Sequence, residues 1–223
     1  MTKEIIRDPL SLFFGLIFPI ILLLLLSAIN HSIPVDLFNI TSLSPGIAVF
    51  GLSFMALFAA QVVSKDRASS FLTRLYTTPM TTNNFILGYM LPLLIMSCLQ
   101  VIVCMVVAVI LGLQFSWTIF SLIVVLIPVA LIYIGLGLIC GTLFSEKVAT
   151  GICGALLTNV SAWLSGIWFD LNLVGGLFKD IAYLLPFVHA VEMSKDALNG
   201  QVENMLPRLL VLQFLLLSEL EAL

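Results

Sequence analysis

Apolar residues fill this chain in runs too long for the alternation of a half-buried strand and too unbroken for the one-sided stripe of a soluble helix. The runs at 9–29, 45–63, 85–111, 118–144 and 148–167 each approach or exceed the ~20 residues that a helix needs to cross ~30 Å of hydrocarbon. No charged residue occurs from Leu75 to Ser145, and the polar and aromatic patch Gly112–Gln114–Ser116–Trp117 divides that stretch into two spans. A shorter run at 206–218 predicts a sixth span. The expected fold is an all-α integral membrane protein, one transmembrane domain over 1–223. Two segments interrupt the pattern, 64–84 and 168–204. Pro45 is expected in the first turn of the second span, where proline is tolerated. The first run is too long and leucine-rich for a signal peptide and is read as retained.

Composition agrees with the pattern. Hydrophobic residues make up 61% and charged residues 9% of 223, against about 25% charged in soluble domains, so lipid is the better solvent. A net charge of −3 offers no basic face to nucleic acid. Cys98, Cys104, Cys140 and Cys153 sit inside apolar runs without the spacing of a zinc or disulfide framework, and read as small hydrophobes with no metal site.

Short loops rich in Lys and Arg stay in the cytoplasm. Lys3 and Arg7 precede the first span, Lys65, Arg67 and Arg74 follow the second, and Lys147 follows the fourth. The alternate loops 30–44 and 112–117 carry no cation. The N-terminus is therefore expected inside a multi-pass protein of the plasma membrane.

The segment SKDRASSFLTRLYTTPM, Ser64 to Met80, concentrates charge beside the second span. Phe71, Leu72, Leu75 and Tyr76 share one helical face, with Thr73, Arg74 and Thr77 opposite. Ser69 or Ser70 suits the start of such a helix, and Pro79 drives Thr78 out of the α region and ends it. The helix either lies on lipid headgroups or docks into a groove on a soluble partner. The second interruption holds two apolar stretches, Ile167–Val174 and Leu177–Val188, broken by Gly175–Gly176, Lys179–Asp180 and Pro186. Neither stretch can span, so short re-entrant or interfacial helices are expected, or else a loop anchored by Trp168, Phe169 and Tyr183.

Gly137 and Gly141, with Gly135 nearby, form a small-residue face for close helix packing, within the subunit or between subunits. Gln100 reads as an interhelical hydrogen-bonder rather than a pathway residue, and His189 as a polar anchor. Enzyme chemistry finds little support. Gly51–Leu52–Ser53–Phe54–Met55 lacks the second glycine of G-x-S-x-G, no H-E-x-x-H occurs, and His31 and His189 fall outside the spans. The first five spans hold no central acid or base for a proton relay. No G-x-x-x-x-G-K-[ST] is present, so ATP, if used, is bound elsewhere. An intramembrane enzyme and a non-transporting scaffold remain as alternatives.

Two separated motifs resemble the membrane subunits of type-2 ABC exporters. The first comprises Asp66–Arg67 ending the second span, then Leu72, Arg74–Leu75, Thr78–Pro79 and Leu87–Gly88, departing at Ser69–Ser70, Thr73 and Tyr89. The second comprises Ser165–Gly166 before an aromatic run, Leu185–Pro186, and His189–Ala190–Val191–Glu192. Arg7–Asp8–Pro9 also fits the start of such a chain. The resemblance implies an exporter permease for amphipathic or lipid-like cargo such as drugs, antibiotics, lipids or polysaccharides. It implies pairing with a second permease subunit in the membrane lipid, and a separate ATPase that binds ATP and Mg. Asp66, Arg67, Phe71, Leu72, Arg74, Leu75, Thr78 and Pro79 would form the ATPase-coupling segment. Ser165, Gly166, Pro186, His189 and Glu192 would belong to short helices at the outer end.

Overall fold

A computed structural model of the chain describes residues 13–32, 39–69, 82–201, 203–205 and 207–213. All regular structure among them is helical. α1 covers Phe13–Ser32, α2 Ile40–Ala68, α3 Thr82–Ile110 and α4 Thr118–Leu143. These four are long and apolar enough to cross a membrane. α5 runs through 146–164 as α-helix, π-helix at Ile152–Leu157, and α-helix again. Three short helices follow: α6 at Leu171–Val174, α7 at Gly176–Leu184 and α8 at Pro186–Asn199. The chain is helical again at 203–205 and 207–213; the rest of the sixth predicted span, and the predicted amphipathic helix between Ser69 and Pro79 beyond Ser69 itself, lie outside the described residues.

The expected divisions at Gly112–Trp117, Gly175 and Pro186 are observed, and several element boundaries differ from expectation. Asn39 caps α2 by accepting from the Thr41 amide, so the helix starts before the apolar run does and Pro45 lies inside it. A proline at that depth is tolerated in apolar helices whose neighbours satisfy the freed carbonyl. α5 stops at Leu164 rather than Ile167, because Gly166 turns at φ +72°. Lys179–Asp180 does not interrupt anything; both lie within α7, Lys179 half-buried over the Tyr183 ring and Asp180 exposed. Ser69 closes α2: its amide bonds Lys65 O and its hydroxyl bonds Asp66 O at 2.8 Å.

α2 is the centre of the bundle. Its most apolar window is 83% buried, against 22% for α1, so α1 is the peripheral helix. α2 packs on α1, α3, α4, α5 and α8, most extensively on α4. Small residues set that contact. A Cβ on Gly137 would stand 2.2 Å from Ala56 O, and one on Gly141 2.8 Å from Ala60 O. Gly135 is buried on the same helix. The small-residue face thus packs within the subunit, where backbones approach closely and van der Waals contact replaces the missing hydrophobic drive. Exposed Leu87, Leu91, Ile95, Ile102, Val106 and Ile110 run down one side of α3, the surface suited to lipid.

Candidate functional site

Two polar groupings occur at opposite ends of α2. Near one end, Ile167 packs on Gly46 and leads into α6 to α8. At the other, Asp66 and Arg67 occupy the last turn.

Arg67 donates to the main-chain carbonyls of Thr142 and, at 2.6 Å, Phe144. These oxygens belong to the carbonyls at the C-terminal end of α4 that helical geometry leaves without partners, and a cation there also meets the negative end of the helix dipole. Asp66 accepts from the Tyr89 hydroxyl at 2.8 Å. Tyr89 is one of the departures from the first motif, and its buried phenol reaches the carboxylate as a donor. One turn of α2 is therefore fastened to both α3 and α4. Phe71, Leu72, Arg74, Leu75, Thr78 and Pro79 lie outside the described residues.

Polar contacts within the bundle were less visible in sequence. Tyr133 of α4 is fully buried, shares a 2.5 Å hydrogen bond with Ser161 of α5, and stacks on Phe187 of α8 with centroids 5.9 Å apart. Gln100 of α3 is buried with its amide nitrogen 3.4 Å from Ala48 O, fitting into space left by Gly51. That is the interhelical bond expected of it. The free cysteines divide: Cys104 and Cys153 are buried, Cys98 and Cys140 half-buried.

The other polar grouping is built by α6, α7 and α8. Asp170 caps α6 by accepting from the Asn172 amide at 2.8 Å. Pro186 starts α8, which buries Phe187, Val188, Ala190 and Val191 on one side. Glu192 on that helix accepts from the Tyr183 hydroxyl at 2.6 Å and pairs with Arg208 at 2.9 Å, and Arg208 also bonds Asp196. His189 Nε2 lies 2.9 Å from Tyr183 O, while its buried Nδ1 has no partner among the described residues. Lys179 sits 5.8 Å from the Tyr183 ring centroid, a cation–π distance. The hydrogen bond to Glu192, reinforced by burial, pushes the Tyr183 phenol up to about 12. Burial lowers the Lys195 ammonium against the opposing pull of Glu192 and Asp170.

Several of these side chains line a half-open polar pocket of about 200 Å³. Ser165, Gly166 and Glu192, expected together from the second motif, all line it, joined by Asp170, Tyr183 and Lys195. Pro186 and His189 do not line it and serve the α7–α8 joint instead. Of the expected aromatic anchors, Trp168 packs edge-on to Phe50 of α2 and Phe169 packs on Trp163 and Phe178, so both belong to packed clusters. Asp170 and Lys195 were not singled out in the sequence. No group of three or more His, Cys, Asp or Glu able to hold a metal occurs among the described residues.

Comparison with curated proteins gives no match. The profile of the ABC-2 type transporter family matches residues 1–198, nearly the whole chain and both motif regions. With its all-helical apolar bundle and with Asp66–Arg67 closing the second helix, this multi-pass membrane protein belongs to the ABC-2 type transporter family.

Proposed function

We infer that the chain is the permease subunit of an ATP-driven exporter that moves an amphipathic or lipid-like molecule out of the cell. A cytoplasmic ATPase subunit binds ATP and Mg, and a second permease subunit, identical or related, completes the pathway across the plasma membrane. In this reading α5 and the run at 206–218 join the four long helices as the fifth and sixth spans, and the N-terminus is cytoplasmic. The observation that carries the reading is the anchor at Asp66–Arg67. Residues 70–81 follow directly on a turn tied to α4 through Arg67 and to α3 through Tyr89. A push delivered to Phe71, Leu72, Arg74, Leu75, Thr78 and Pro79 by a docked ATPase would reach three helices at once. An amphiphile is favoured as cargo because the bundle interior is apolar along most of its length.

The test compares the tagged chain with its Arg74→Glu variant in native membranes. Both should insert to the same level, while recovery of a partner carrying a Walker motif falls by about tenfold or more, since reversing one interface charge costs at least ~1.4 kcal/mol. Equal recovery would overturn the docking role. If the wild-type chain recovers no such partner, the scaffold or enzyme reading replaces the exporter.

A further inference from the structure

The pocket between α6, α7 and α8 has a charge pattern that its own hydrogen bonds do not exhaust. Glu192 is satisfied, with Tyr183 on one oxygen and Arg208 on the other. Asp170 uses Oδ1 on the backbone amide and side chain of Asn172, and Oδ2 takes no hydrogen bond among the described residues. Lys195 lines the same pocket and makes no ion pair among them. One cation and one half-used carboxylate thus face a shared space of about 200 Å³, the volume of six or seven waters at ~30 Å³ each. A simple anion would meet Asp170, and a simple cation would meet Lys195. A group carrying both charges a few ångströms apart satisfies both.

The surroundings say where such a group comes from. Leu177, Ile181 and Leu184 of α7 are 80%, 52% and 83% exposed, at i, i+4 and i+7 along one face. Leu173 of α6 is likewise exposed, at 85%. A short helix with an apolar face outward and a polar pocket behind it suits the boundary between acyl chains and headgroups. We propose that this pocket binds the headgroup of a phosphoethanolamine-type lipid, its phosphate on Lys195 and its ammonium on Asp170. This inference concerns a resident or entering lipid and stands whether or not the transported molecule is itself a lipid.

The full chain, purified in mild detergent, is titrated with lysophosphatidylethanolamine, lysophosphatidylcholine, lysophosphatidylglycerol and free phosphoethanolamine, and bound ligand is counted by native mass spectrometry. The ethanolamine lysolipid should bind about tenfold more tightly than the glycerol lysolipid, a difference of ~1.4 kcal/mol. Lys195→Met should weaken it by a similar factor. Asp170→Asn, which keeps a capping side chain but removes the charge, should weaken the ethanolamine lysolipid and strengthen the glycerol one. That crossover is something a misfolded variant cannot produce. Equal affinity for all headgroups, or indifference to both substitutions, overturns the proposal. Free phosphoethanolamine binding as well as the lysolipid overturns the assignment to lipid and leaves a site for a soluble zwitterion.

Discussion

Arg67 on the last turn of α2 holds the C-terminal carbonyls of α4 at Thr142 and Phe144, residues distant in sequence. The guanidinium does this with both terminal nitrogens, a reach that a lysine ammonium cannot copy because its three N–H donors share one nitrogen. Arg67 is exposed, so the contribution is modest. Arg67→Met should cost about 1 kcal/mol of stability, and Arg67→Lys should recover less than half of it. Thermal unfolding of the detergent-solubilised chain decides this; a Met variant that melts with the wild type would remove the anchor from the account.

Glycine substitutions in the bundle should rank by what the added methyl meets. Gly137→Ala should be the worst, since its Cβ would press on Ala56 O, and Gly141→Ala milder. Gly151→Ala, whose Cβ meets nothing within 4 Å, should be silent. Overpacking of this kind costs roughly 1–3 kcal/mol. The readout is the fraction of monodisperse protein after heating, and any other order of the three would mean that α2 and α4 are not seated as described.

Gln100 separates a structural from a transport role. Its Oε1 is buried without a partner among the described residues, so exchange for an apolar side chain of similar length removes a cost along with a bond. Gln100→Met should change stability by no more than about 1 kcal/mol, the net worth of one hydrogen bond, and leave transport intact. Retained stability with lost transport would assign Gln100 to the substrate path.

The Tyr183–Glu192 bond has a pH signature. Tyr183 holds its proton more tightly in the fold, up to about 12, than in the unfolded chain, where a phenol titrates near 10. Its stabilisation is therefore complete below about 10 and is lost as pH rises through about 12. The melting temperature of the wild type should fall faster across that window than that of Tyr183→Phe, with Lys195 present in both. Parallel curves would show that the phenol and the carboxylate are not coupled.

Much of the fold was legible because lipid imposes length. Runs of about 20 apolar residues have few alternatives to helices, and Gly112 to Trp117 could only be a break. The helix-breaking roles of Gly175 and Pro186 followed from backbone chemistry alone. Helix ends were harder: Asn39 and Ser69 lie outside the apolar runs, so their capping bonds shift boundaries that hydropathy cannot see. The pocket was half legible. Ser165, Gly166 and Glu192 belong to a motif, whereas Asp170 and Lys195 meet there only because α7 packs on both α6 and α8. Tyr133 carried no signal at all, since a tyrosine in an apolar run looks like any aromatic until Ser161 is brought beside it.

The glycine contacts of Gly137 and Gly141 also constrain how the bundle can deform. Two helices whose backbones touch cannot slide past one another without collision, so α2 and α4 act as a keel. Compliance has to reside in the neighbours, and among the described residues both π-helical turns are found there, at Phe13–Ile17 of α1 and Ile152–Leu157 of α5. A wide turn carries one surplus residue, and handing that surplus along the helix rotates the stretch it passes through by about 100°, from ~3.6 residues per turn. The keel would stay still while the planks on either side twist.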